Sequence, residues 1–192
     1  ITRKTGIWEV KVGSFSYFAE RIVLTMPIKQ VSSLIEKSLV EKYTLPKSNY
    51  KQFYTATFLA NRAHSKNIFD NSESLSWICN NKLKGLFNEK NVYTVNFSSE
   101  LSIDYKELDY ESRVKAMGKI LNFNGFDSIE NLDIHYWKHA FSSKQDHISH
   151  FFDEDTQIGI CGDSFSIGQA DGAIISSDKV YQKLLSSNSL ED

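Results

Sequence analysis

Gly162-Asp163 and, a few residues on, Asp171-Gly172 stand close together in the stretch CGDSFSIGQADGAIISS, in a chain that holds only nine glycines. A glycine where an apolar run ends lets the backbone approach a ligand closely, and an aspartate beside it can accept hydrogen bonds from hydroxyls at the C-terminal end of a strand. Asp171-Gly172 opens a helical pattern. The start of a helix offers unpaired N–H groups and partial positive charge, suited to an anion or an electron-rich carbonyl. Together they read as a polar clamp, with a carboxylate for hydroxyls and a helix end for a reducible ring. The plainer reading makes Gly162 a turn and Asp171 an ordinary N-cap.

Other chemistry is less well supported. The segment GDSF is similar to the Gly-Asp-Ser nucleophile block of lipase/esterase-like hydrolases, with Ser164 as attacker, but no histidine follows His150 to complete a downstream triad. His135 with His139, or His147 with His150, lie near Asp153, Glu154 and Asp155. Zinc needs ligands that converge, and alternation puts His135 and His139 on the same face only if the strand continues that far, so they read as loop and strand-edge residues and no metal is expected. Trp137 reads either as a core strand residue or as the wall of a cavity with His139 in reach. Tyr54, Phe58 and Trp77 are open to the same two readings.

The elements that must position these residues follow from hydrophobic periodicity. Trp8, Val10 and Val12 alternate with Glu9 and Lys11, as in a half-buried strand. After Gly13-Ser14, residues 22–26 form a strand that is apolar on both faces except at Thr25, which predicts a sheet covered on both sides. Pro27 suits the first turn of a helix that continues through Ile28, Val31, Leu34, Ile35 and Leu39. β-rich runs at 53–60, 75–79 and 92–98, separated by the polar loops HSKNIFDNSE and NNKLKGLFNEKN, predict an antiparallel sheet. A helix is expected over 107–122, with Leu108, Val114, Met117 and Leu121 on one stripe, then an aromatic strand, LDIHYW. A short apolar strand, IGICGD, and a last helix over about 172–186 complete the pattern.

The bulk composition narrows the function. At 192 residues, with 41% hydrophobic and 24% charged residues, the chain can bury a substantial core. A formal charge of -2 and a pI near 6.2 leave no electrostatic footprint for nucleic acid. Cys79 and Cys161 are too few for a disulfide framework, which fits a reducing cytosol. No apolar run approaches the roughly 20 residues of a membrane span, so no membrane partner is expected. A small-molecule substrate is.

The segment CGDSFSIGQADGAIISSDKVYQKL resembles the C-terminal flavin-binding motif of the FAD-dependent amine-oxidase superfamily, within the wider NAD(P)/FAD-dependent oxidoreductases, and is most similar to its renalase branch. WEVKV leading to ERIVLTMPIKQ, the ICNN strand and YWKHAFSS agree with that family in order and spacing. The resemblance implies that Asp163 of the Gly162-Asp163 pair hydrogen-bonds the ribityl chain of FAD. It also implies that Gly172, Ala173 and Ile174, opened by Asp171, face the pyrimidine end of the flavin ring, and that Trp137 and His139 line the substrate cavity. The implied reaction is hydride transfer from a reduced nicotinamide-like or amine substrate to flavin, with oxygen as acceptor. One part of the family pattern is missing, since none of the nine glycines makes the G-x-G-x-x-G turn that cradles the pyrophosphate of FAD.

The expected fold is therefore α+β: an antiparallel sheet of a substrate domain with flanking helices, plus strands and a C-terminal helix of an incomplete FAD-binding domain. The expected organisation is residues 1–27 as partial FAD-domain strands, 28–150 as the substrate domain and 151–192 as the return segment. A chain of this kind should hold FAD weakly or not at all by itself, and self-associate through uncovered apolar surface. The alternative function is a non-catalytic remnant that acts as a binding or interaction module.

Overall fold

The computed structural model describes residues 1–43, 45, 48–61, 74–85, 91–144, 148–165 and 170–188. Along the first half run β1 (Thr2–Lys4), β2 (Ile7–Val12), β3 (Phe15–Ala19), β4 (Ile22–Leu24), α1 (Ile28–Leu34), α2 (Lys37–Lys42), β5 (Ser48–Leu59), β6 (Leu75–Asn80) and β7 (Val92–Phe97). Then come α3 (Ser99–Asp104), α4 (Tyr110–Phe123), β8 (Glu130–Lys144), β9 (Phe151–Asp153), β10 (Ile158–Ile160) and α5 (Ala170–Asn188). The mixture of helices with mainly antiparallel sheets is consistent with α+β. Two units form, one from Ile1–Tyr50 and Phe141–Asp192 and the other from Lys51–Ala140, so that β5 and β8 each contribute to both.

In the first unit, β1, β2 and β3 form an antiparallel meander, with Trp8 opposite Ala19 and Val12 opposite Phe15. Alternation buries Trp8 completely, but the face fades along the hairpin, and Phe15 (67% exposed) and Tyr17 (61%) stand in solvent. A second sheet has the order β4-β10-β9, with β10 parallel to β4 and antiparallel to β9. Its core joins Trp8, Leu24, Ile28, Val31, Ile35, Tyr43, Ile158, Ile160 and Phe165. The turn after β9 is pinned to this core, since the Trp8 indole N–H donates to the Thr156 carbonyl at 2.7 Å and the Tyr43 and Thr156 hydroxyls share a bond.

Two expectations are corrected here. The strand over 22–26 ends at Leu24, and Val23 is 41% exposed at the sheet edge, although central strand β10 is buried on both faces, by the core on one side and Val180 of α5 on the other. The single helix from Pro27 to Leu39 is two. Ile35 turns extended (ψ 151°) after a serine pair in which Ser32 donates to the Ile28 carbonyl and Ser33 to the Gln30 carbonyl. Such hydroxyls compete with the backbone ladder.

In the second unit, the four strands lie in the order β6-β7-β5-β8. One face carries Tyr54, Ala56, Phe58, Ile78, Tyr93, Val95, Phe97 and Ile134, which pack with Met117 and Leu121 of α4 and with Phe126. The helix expected over 107–122 starts at Tyr110 instead, because Asp109 accepts from the Ser112 N–H at 2.9 Å and caps it. Leu108 thus falls outside the stripe. Arg113 closes the end of α3 by donating to the carbonyls of Tyr105, Lys106 and Leu108, and its guanidinium lies 4.8 Å from the centre of the Tyr54 ring. The aromatic strand at 132–137 is the middle of a longer one. All of the loop HSKNIFDNSE, and part of NNKLKGLFNEKN, lie outside the described residues.

Candidate functional site

The Gly-Asp stretch sits in the first unit, where central strand β10 meets the packed side of α5. Strand and helix come together very closely, since a Cβ added to Gly159 would lie 2.4 Å from Cγ1 of Val180. Gly162 ends the run with φ +144°, a backbone that side-chain-bearing residues rarely adopt, and a Cβ there would meet the Thr25 carbonyl oxygen at 3.4 Å. Ser176 of α5 locks the turn. Its buried hydroxyl accepts from the Gly162 N–H at 2.9 Å and lies 3.1 Å from the Gly162 carbonyl and 3.0 Å from that of Ala173. Burial also pushes the neighbouring Cys161 thiol up, which keeps it neutral.

Asp163 begins a short 3-10 turn, Asp163–Phe165, and its carboxylate is half-buried. The only bond to that carboxylate among the described residues is from the Ser164 hydroxyl at 3.5 Å, while its main-chain carbonyl accepts from Ser142 at 3.2 Å. Ser164 is buried and shares a hydrogen bond with the Tyr50 hydroxyl, which in turn accepts from the Ile28 N–H at 3.0 Å. A buried serine used in this way ties the turn to the start of α1. It is not placed as a nucleophile.

The last helix begins at Ala170, earlier than the expected position near 172, so Asp171 lies within the first turn rather than ahead of it. Its carboxylate accepts from the Gly172 N–H at 2.9 Å. The N–H of Ile174 falls in register with the Ala170 carbonyl, one turn into the helix. Gly172 is buried and Ala173 half-buried, whereas the Ile174 side chain is 69% exposed.

Trp137 and His139 belong to the second unit, on the sheet face opposite the helix-covered core. They line a cavity of about 400 Å³ together with Phe53, Thr55, Asn96 and Ala140. Trp137 is 49% exposed and packs edge-on against His135, with ring centres 4.5 Å apart, so it is not a core residue. The Thr55 hydroxyl donates to Oδ1 of Asn96 at 2.8 Å. Tyr54 and Phe58, open to a wall or a core role in the sequence, are core. Period-two alternation could have found Phe53 and Thr55, because the strand that buries Tyr54, Ala56 and Phe58 must turn Phe53, Thr55 and Thr57 the other way. The same alternation in VYTVNF turns Asn96 away from Tyr93, Val95 and Phe97, and helical spacing puts Ser176 with Ala173, Val180 and Leu184 on the inner face of the last helix, whereas Tyr50 carries no such signal until its strand is paired.

Among the described residues no group of three His, Cys, Asp or Glu side chains converges to hold a metal. His147 lies outside the described residues. His150, near β9, is held below its ordinary value by burial and then by the charges of Lys179 and Lys183. Among the described residues no helix is long and apolar enough to cross a membrane.

Comparison with known proteins adds to this geometry. No protein-family model matches the sequence, and no curated protein matches it either. Solved structures do. A cyclohexylamine oxidase from Brevibacterium oxydans IH-35A aligns over 100% of this chain and 48% of its own, with a TM-score of 0.66 and 12% identity. A protein from Exiguobacterium sp. 255-15, provisionally described as a protoporphyrinogen oxidase, aligns over 97% of this chain and 46% of its own, with a TM-score of 0.64 and 13% identity. The likeness is one of fold. The chain spans about half the length of either oxidase.

Proposed function

We propose that this chain is the substrate-domain portion, with the C-terminal cofactor-facing segment, of an FAD-dependent oxidoreductase of the renalase/amine-oxidase type. The proposed reaction moves hydride from a reduced nicotinamide-like or amine substrate to the flavin, with oxygen as acceptor. The observation that carries the reading is the end of β10, where Gly162 is locked by Ser176 of α5 and Asp163 stands with an almost unengaged carboxylate. Its setting is a fold shared along nearly the whole chain with two oxidases.

The residues present suit the cofactor. Asp163 offers acceptor capacity for ribityl hydroxyls, and the first-turn donors of α5 offer N–H groups to a ring carbonyl. The Gly172 N–H, already held by Asp171, contributes least. Bound FAD supplies a ring that accepts hydride. This chain supplies fixed donors that stabilise developing negative charge, and a substrate face on which Trp137 and His139 orient the donor molecule. Hydride transfer needs orientation more than an acid or base, so a cavity with few titratable groups is suited to it.

The ADP half of the cofactor site is assigned to polypeptide outside this chain. Apolar side chains that stand in solvent here support that assignment: Phe15, Tyr17 and Phe18 of β3, and Ile174, Tyr181 and Leu185 of α5. The test is to purify the longest open reading frame that contains this chain beside the 192-residue chain, and to compare bound flavin by visible absorbance. A yellow long form beside a colourless short one is the expected result. Two colourless proteins that take up no added FAD would sink the reading and leave an interaction module in its place.

A further inference from the structure

The cavity on the open face of the second unit's sheet has a chemical character that narrows what it can hold. Its lining among the described residues is Phe53, Thr55, Asn96, Trp137, His139 and Ala140, which bring no carboxylate, ammonium or guanidinium group and one titratable side chain, His139. A charged group moved into such a wall gives up water and gains no counter-ion, which favours a neutral occupant. Two aromatic rings provide flat apolar area. The polar specificity comes from one pair, in which Thr55 donates to Oδ1 of Asn96 at 2.8 Å. As the amide is turned here, its oxygen accepts from Thr55, and its two N–H donors are left to the cavity and solvent among the described residues.

From this we infer that the cavity selects an uncharged, flat ring compound bearing a carbonyl-type acceptor, with Asn96 as the specificity residue and Thr55 as the residue that positions it. Ammonium substrates are disfavoured, although one of the similar structures is a cyclohexylamine oxidase. The inference rests on the reading of this sheet face as the substrate face, and it chooses between the two substrate classes that reading left open.

Three probes of the same size and different charge test it: benzamide, benzylammonium and benzoate. The chain has three tryptophans, and their indole N–H resonances give separate reporters, with Trp137 in the cavity and Trp8 buried in the other unit as a control for folding. Benzamide should shift the Trp137 signal saturably, with a Kd at least about tenfold lower than either charged probe. Asn96→Asp should reverse the order in favour of benzylammonium. Thr55→Val should weaken benzamide while leaving the Trp8 signal in place, which keeps the test open if Asn96→Asp does not fold. Equal or tighter binding of benzylammonium by the unaltered chain, or no saturable shift of Trp137 with any probe, would overturn the inference. Failure of the flavin reading is seen separately: a long form without flavin whose cavity still prefers benzamide would keep the binding site and lose the redox role.

Discussion

The junction of β10 with α5 and the open face of the four-stranded sheet hold the two groups of candidate residues, and they differ in what the fold itself asks of them. At the junction, nearly every residue is already used: Gly159 makes room for Val180, Gly162 supplies a backbone other residues avoid, and Ser176 satisfies the Gly162 N–H. Among the described residues there, the Asp163 carboxylate is left largely unengaged. On the open face the reverse holds, since Trp137, His139 and Asn96 stand outside the core cluster that stabilises the sheet. A motif can therefore be recognisable because it folds a turn, whereas a cavity wall is chosen by what it binds. Substitutions should separate the two.

The largest effect is expected from Gly159→Val, which places side-chain atoms where Val180 already packs and should cost about 3 kcal/mol in urea denaturation. An unchanged midpoint would mean that strand and helix are not held together as closely as the geometry has them. Next, Ser176→Ala leaves the Gly162 N–H without its partner and should cost about 1–3 kcal/mol, while Ser176→Cys should recover only part of that. Flavin content of the long form should fall with it.

Trp137→Ser is the counterpart on the open face. Its stability change should stay within about 0.5 kcal/mol, while ring-compound binding is lost. A cost as large as that of Gly159→Val would erase the contrast between the two regions and make the open face structural. The smallest effect concerns pH. Because burial and the nearby lysines hold His150 below its ordinary value near 6.5, the unfolded chain takes up that proton first as pH falls. Stability of the first unit should therefore decrease as pH drops below about 6.5, and level off once the folded His150 also titrates. His150→Gln should flatten that slope in urea midpoints measured across the range.

Much of the fold was legible from periodicity. The alternation in β2, the antiparallel run of β5, β6 and β7 and the stripe of α4 all appear where the residue pattern predicts them, with boundaries displaced by caps such as Asp109. The break between α1 and α2 was not legible, because serine hydroxyls compete with a ladder that the apolar spacing alone would continue. Trp137 was ambiguous because a large aromatic on a strand satisfies a core position and a cavity wall equally well.

What the sequence by itself determined is local: which residues alternate, where chains must turn, and that Gly162-Asp163 followed by a helix start makes a polar, close-approach stretch. Tertiary structure decided which of those residues remain available. Asp171 is drawn onto the Gly172 N–H, Ser164 is buried against Tyr50, and Asn96 is turned by Thr55, a residue 41 positions away in sequence. The physical reason is that a hydrogen bond between distant strands depends on pairing register. That register is set by how whole apolar faces bury against helices, and no short stretch of residues contains it.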